Sequence, residues 1–561
     1  MTARRGILSL IVAVLAIALT ACAGLPTSGK VNYGLSTADT PDSEDVTFLL
    51  PDSPQPGATP EQIVEGFIRA GSGPGLGARW ERAREFLTPD FADVWDPGAG
   101  VTVDVFEDRV YTEPSEGVVS LSLTAAATVD AKGMYERSAL AAQTLPFELE
   151  QVDGEWRISA AFDGVVLDRE QFPRVFHNYS LTYFDPSWQF LVPDTRWFPT
   201  TNAVREVAFR LVNDPRSEWL AESVVSAFPE GVEVLAVVPQ AGNSYEIDLS
   251  VAALSADAAT LDRMYTQLRS SLATAGVSDV ELTVQSAPID VDTVAVRSTR
   301  IQGAPLVLTE EGFGFLVGDE LEPVQGISEG VQELAPVAVQ LGADRTMAAA
   351  RLAGGEVARI RDDATYDVID SRAGLVDPSI DPFGMVWTVP RNQPSAVKVH
   401  LVDGLAPIDV VNAFPGATSV SSLTVSRDGT RVAAVVTAGG RTALWVAGVI
   451  RDADLVPIRL GDPIALSPVA GTGRGAAWLD DLSVGVLSGD SEGTTVLEQV
   501  VGGTSSTSSA PAGMVAIAGG TSLSSARLRA DDGTLSVKRG TSWQPTATGV
   551  LVLATQQGSP E

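Results

Sequence analysis

From residue 296 to residue 561 the chain repeats one pattern, a polar turn between short apolar runs, with few stretches of helical periodicity. Examples are "LVLTEEGFGFLVG", "DPSIDPFGMVWTVPR" and "SARLRADDGTLSVKRG". The turns near Glu311, Asp344, Phe383, Asp428, Asp481 and Asp532 lie between 33 and 53 residues apart. Repeats of roughly 40–50 residues built from short strands predict propeller blades, each hiding its faces against its neighbours so that none needs a complete core. In "TVSRDGTRVAAVV", Asp428-Gly429 makes the turn, and Val432, Ala433, Ala434, Val435 and Val436 form a strand apolar on both faces. Six such turns predict an all-β propeller of about six blades over 296–561. The competing arrangement is a pair of β-sandwiches.

The N-terminal half reads differently. In "TPEQIVEGFIRAG" Thr59 caps, Pro60 takes the first helical position, and Ile63, Val64, Phe67 and Ile68 share a face. "ARWERAREFL" continues this style up to Thr88-Pro89. Strand-like runs follow at 101–106, 118–129 and 145–159, the last turning at Asp153-Gly154. Helices followed by a curved antiparallel sheet ending in "DGEWRIS" resemble the cone of the nuclear transport factor 2 family, here over 59–172. From 173 to 290 two apolar runs flank Asp185-Pro186-Ser187. Helical patterns follow in "NAVREVAFRLVND" and "SEWLAESVVSAFPEG", then strands "VEVLAVVP" and "SYEIDLS". A helix "TLDRMYTQLRSSLATAG" ends at Gly276, and a last strand is "VELTVQSAPI". Both segments are therefore expected to be α+β in a multidomain chain, which its 561 residues allow.

The chain has one cysteine, Cys22, which excludes an internal disulfide and zinc sites that need cysteine pairs. Arg4 and Arg5 precede the apolar run Ile7–Leu19, and small residues Thr20 and Ala21 follow. This is the layout of a secretory signal, and the thirteen residues, apolar except for Ser9, reach about 20 Å as a helix, short of a bilayer core. Leu19-Thr20-Ala21-Cys22 resembles the bacterial lipobox. That resemblance implies cleavage between Ala21 and Cys22, a signal peptide over 1–21, and a diacylglyceryl group on the Cys22 sulfur that anchors the protein in the membrane. Two acyl chains, at about 0.8 kcal/mol per buried CH2, give lasting attachment. The proline- and acid-rich stretch that follows makes 22–58 a tether.

Chemistry is sparse. The formal net charge of -33 makes nucleic acid a poor partner. No HExxH occurs, no GxSxG elbow is expected, and no Gly-rich loop is followed by Lys-Ser/Thr. A Ser-His-Asp arrangement through His177 or His400 stays open, since triads assemble from distant positions. Asp362, Asp363, Asp367 and Asp370 in "RDDATYDVIDSR" lack the EF-hand spacing and read as a solvated blade edge. Trp188, Trp197 and Trp219 offer either a sugar- or partner-binding surface or core packing. No catalytic residue, cofactor or metal site is expected.

"RWFP", the helix pair, "AFPEGVEVLAV" and "YEIDLS" resemble the GerMN domain. With the lipobox, the cone and the repeats, the whole chain resembles the LpqB lipoprotein family. One departure is "NDPRSEWL", where the family's turn between the helices is usually Gly-Pro-Ser-like; Pro215 is kept. The resemblance implies a non-enzymatic lipoprotein on the extracytoplasmic face of an actinobacterial membrane. Its implied partner is the extracellular sensor region of the histidine kinase MtrB, and its implied role is to modulate MtrA–MtrB signalling. The alternative is a lipoprotein that binds cell-wall glycan or a small ligand without a kinase partner.

Overall fold

The structure, a computed structural model, describes residues 51–490, 493–520 and 523–560. Helix Pro60–Ala70 starts as its sequence dictates: the Thr59 hydroxyl accepts the Gln62 N–H, and the Gln62 side chain accepts the Thr59 N–H at 3.0 Å. Its buried face, Ile63, Val64, Phe67 and Ile68, packs on a six-stranded sheet. Strand Val118–Asp130 lies inside that sheet and buries every second residue from Val119 to Val129. The Asp153-Gly154 turn has positive φ at both residues, 54° and 82°, the conformation a two-residue hairpin requires.

"ARWERAREFL" does not continue as one helix. Only Glu81–Arg84 is helical, and a separate turn Pro89–Val94 restarts behind the Thr88 cap. Trp80 causes the break. Its buried indole donates to the Gly71 carbonyl at 2.9 Å, and its backbone stands in the left-handed region at φ 51°.

The middle segment begins with the hairpin Phe176–Phe184 and Leu191–Pro199, paired without a register shift. Helix Ala203–Asn213 follows, then a sheet of Val234–Pro239, Ser244–Leu249, Asp279–Val284 and Ala287–Pro288. Ser244–Leu249 and Asp279–Val284 are parallel, and helix Ala258–Ala273, capped by Asp257, makes the crossover between them. Met264, Leu268 and Leu272 are fully buried, as their spacing predicts. The helix expected in "SEWLAESVVSAFPEG" is absent; residues 217–231 form turns. Their backbone is committed elsewhere. The Ser217 N–H and hydroxyl bind Asp194 at 3.1 and 2.7 Å, and Val225 exchanges two backbone hydrogen bonds with Phe184.

From Leu306 onward, small antiparallel sheets resembling propeller blades follow one another, with one α-helix among the described residues, Ile327–Leu334. Strands 379–409, 472–510 and 514–547 make three four-stranded sheets, and strands 417–468 make a five-stranded one. The remaining sheet has eight strands. The C-terminal strand Val552–Gln556 pairs antiparallel with Leu306–Leu308 and parallel with Ala338–Leu341, so it joins the end of the segment to its beginning. Arg431–Ala438 runs through the five-stranded sheet with Val432 to Val436 buried on both faces. The six recurring turns are not equivalent. Those at Asp344, Phe383, Asp428 and Asp481 join the first and second strands of their groups, whereas Asp532 joins the second and third, and Glu311 lies between Leu306–Leu308 and Phe313–Val317. The uneven spacing in the sequence partly reflects this mixture.

Candidate functional site

Ala21 and Cys22 lie outside the described residues. Within them, the most heavily built places are the joints between the segments. The turn 131–134 reaches into the middle segment: Trp197 N–H donates to the Gly133 carbonyl at 2.8 Å, and Arg196 donates to the Lys132 carbonyl. Arg196 is buried and paired with Asp194 at 2.7 Å; burial pulls its pKa down, but the Asp194 charge and hydrogen bond outweigh this and raise it. Gly133 sits at φ 80° with no room for a Cβ, which would lie 2.6 Å from the Phe198 ring. Trp197 touches all three segments. Its ring packs on Phe172 at 4.9 Å and Tyr135 at 5.7 Å, while Nε1 donates to the Gly502 carbonyl at 3.0 Å.

A second joint holds the middle segment to the sheets. Glycines 448 and 461 admit the Trp219 backbone closely; a Cβ on Gly448 would meet the Ser223 hydroxyl at 2.2 Å and the Trp219 carbonyl at 2.8 Å. Glu222 pairs with Arg459. Phe190 meets Phe383 edge-on at 6.4 Å. Thr299 in the connecting segment donates to the Asp481 carboxylate at 2.8 Å, and burial raises the Asp481 pKa. The "NDPRSEWL" stretch is therefore spent on contacts within the chain: Asp214 on Arg210, Ser217 on Asp194, and Trp219 on the sheets. The three tryptophans do not form one platform. Trp197 and Trp219 lie in joints, and Trp188 lies against Phe184 with Arg263 above it at 4.4 Å.

His177 is half-buried on its hairpin, and burial lowers its pKa despite a backbone hydrogen bond at Pro173. His400 is buried with Thr388 and Asp370. His400 Nε2 lies 3.0 Å from the Thr388 hydroxyl and 3.6 Å from Asp370, and that hydroxyl is 2.7 Å from the same Asp370 oxygen. A triad needs the carboxylate and the hydroxyl on opposite ring nitrogens. Here both approach Nε2 and all three residues are buried, so the group is a structural network. Arg372 completes it at 2.7 Å. Burial pushes the Asp370 pKa up, but hydrogen bonds from His400, Arg372 and Thr388 prevail and hold it far below the usual carboxylate range. The acidic run thus departs from a uniformly solvated edge. Asp362 and Asp363 are exposed and Asp367 pairs with Arg361, but Asp370 is an internal anchor.

The expected absence of a GxSxG sequence is corrected at one place. Gly326-Ile327-Ser328-Glu329-Gly330 has the G-x-S-x-G form. Its residues serve packing. A Cβ on Gly326 would fall 1.6 Å from the Asp362 carbonyl, and one on Gly330 would strike Ile360. The buried Ser328 hydroxyl donates to the Phe313 carbonyl at 2.6 Å and accepts the Val324 N–H at 2.8 Å. Among the described residues, no group of three or more His, Cys, Asp or Glu is placed to hold a metal ion.

Two cavities adjoin the first segment's polar side chains. One of about 450 Å3 opens beside Arg109, whose guanidinium holds both Asp104 oxygens at 2.7 and 2.8 Å. The Tyr111 phenol there is pushed up to about 12, mainly by burial. The other, about 500 Å3, lies between the first and middle segments and reaches Trp197. No sequence motif marked either one; their walls come from positions far apart in the chain.

The family model of the N-terminal domain of lipoprotein LpqB matches residues 53–173, that of sporulation and spore germination matches 180–290, and that of the LpqB beta-propeller domain matches 311–552. Lipoprotein LpqB of Thermobifida fusca is 33% identical over 272 residues, covering 46% of this chain and 42% of that relative. LpqB of Rhodococcus jostii is 25% identical with 77% of each chain covered, and that of Streptomyces avermitilis is 25% identical with 94% of each covered. Among solved structures, TolB of Acinetobacter baumannii matches at a TM-score of 0.33 and 14% identity, over 44% of this chain and 64% of that one, a score from which nothing is concluded. Three family models in the order of the three segments, and relatives aligned along nearly the whole length, lead to one conclusion: the chain belongs to the LpqB lipoprotein family.

Proposed function

We propose that this membrane-anchored, extracytoplasmic lipoprotein is a non-catalytic accessory component of a two-component system. It binds the sensor region of an MtrB-like histidine kinase and so modulates signalling to the response regulator in envelope homeostasis and division. The observation that carries this reading is the family match along all three folded segments. The joints add a physical argument: residues 51 onward fall in one compact unit, so the chain offers a partner large surfaces held in fixed relation.

In this reading the signal peptide is 1–21, and diacylglyceryl-Cys22 with a tether to 58 holds the body at the membrane. The folded units are 59–172, 173–290 and 296–561. Confinement to one surface raises the effective concentration of both partners and lets a weak interface suffice. The last unit is a propeller of about six blades. In support, a cavity of about 90 Å3 is bordered by Gln340, Ser379, Leu423, Ala476, Ile517 and Leu553, one from each of six strand groups.

Affinity purification of the full-length protein from gently solubilised membranes tests the reading. The expected result is co-recovery of a sensor kinase. Recovery of envelope glycan with no kinase would overturn it.

A further inference from the structure

We propose that the cleft between the first and middle segments is a binding site for a neutral saccharide, a ligand of one or two sugar rings. Its volume of about 500 Å3 falls within the range of small-ligand pockets, roughly 300–1,000 Å3. Phe176, Phe198 and Pro199 supply apolar wall.

The polar wall identifies the ligand class. Arg79, Arg84 and Arg210 line the cleft together with carboxylates that include Glu81, Asp130 and Glu206. An anion would be drawn by the first set and repelled by the second, and a cation the reverse. A hydroxyl donates and accepts at once, so a polyhydroxylated neutral molecule satisfies both.

Some of these groups are already committed. Arg210 holds Glu206 at 3.1 Å and Asp214 at 3.0 Å, and Arg84 donates to the carbonyls of Arg79, Ala92 and Trp95. The Arg79 guanidinium and the Glu81 carboxylate have no protein partner among the described residues. The Asn202 amide spends its NH2 on Glu206 at 2.9 Å, which leaves its carbonyl oxygen for a ligand. A free donor and two free acceptors therefore face the same space.

The loop that presents Arg79 is built at a conformational cost. Ala78 and Trp80 are in the left-handed region at φ 54° and 51°, whereas Gly75 and Gly77 take 67° and 64° without strain. Strain of this kind persists where surrounding contacts over-determine it and concentrates at ligand clamps. Here Arg84 Nε on the Arg79 carbonyl at 3.1 Å and Trp80 N–H on the Pro74 carbonyl at 2.9 Å fix it. Trp197, which borders the cleft, carries the contact onward to the Gly502 carbonyl.

The test is calorimetric titration of the full-length protein in detergent micelles. The neutral probes are N,N′-diacetylchitobiose and maltose, the cationic probe is chitobiose, and the anionic probe is glucose 6-phosphate. The expected result is saturable binding of a neutral disaccharide, weaker binding of both charged probes, and an about ten-fold loss in Arg79→Ala and in Asn202→Ala at unchanged Tm. Lack of saturable binding by both neutral sugars, preference for a charged probe, or affinity unmoved in both variants would overturn the assignment. The kinase reading does not depend on the outcome.

Discussion

Asp370 is the residue whose environment departs furthest from what its neighbours in sequence suggest. It closes an acidic run, yet it is buried under Thr388, 18 residues away, with His400 and Arg372 beside it. Partners at that separation are invisible to a reading by composition, although Arg372 two residues on was a usable sign. The network makes a pH prediction. The carboxylate is held below its unfolded value of about 3.9, so its contribution is complete above roughly pH 5 and is lost as pH falls below 4 toward the folded value. Asp370→Asn should cost about 2 kcal/mol at pH 7, because it leaves the partly buried Arg372 without its charge partner. The urea midpoint of the wild type should also fall more steeply between pH 6 and pH 3 than that of the variant. Parallel slopes would remove Asp370 from the acid sensitivity.

At the scale of elements, local signals were reliable where the segment answers only to itself. Thr59, Pro60 and Gln62 dictate a helix start that nothing else overrides, and Thr59→Ala should cost about 1 kcal/mol, read from thermal unfolding. The middle hairpin, its two helices at 203 and 258 and its strands were legible for the same reason. Residues 217–231 were not, because their backbone serves Asp194 and Phe184 in place of an internal helix. The recurring turns were legible as repeats but not as two kinds of turn, since strand order within a sheet is not written in the turn residues. Gly448 was silent in sequence and decisive in space. Gly448→Ala should loosen the joint with Trp219 and Ser223 by about 1–3 kcal/mol and expose the connecting stretch, seen as new tryptic cleavage at Arg297 or Arg300.

At the scale of the molecule, the chain's last strand ties residues 306–308 to 338–341. Deleting residues 552–561 should therefore lower the Tm of the whole sheet-rich unit and not merely fray its end, a difference visible in circular dichroism melts. The order of segments was legible because each carries its own periodicity. The joints and the cleft between them were not, because they are made by residues that meet only after folding. The measurement that bears most directly on the central claim is crosslinking in intact cells, comparing wild type with Cys22→Ala and identifying the captured neighbours. The account predicts adducts to a kinase sensor region in the wild type, and loss of both those adducts and membrane fractionation in the variant. Adducts that include no kinase, or a variant that stays on the membrane with its adducts unchanged, would contradict it.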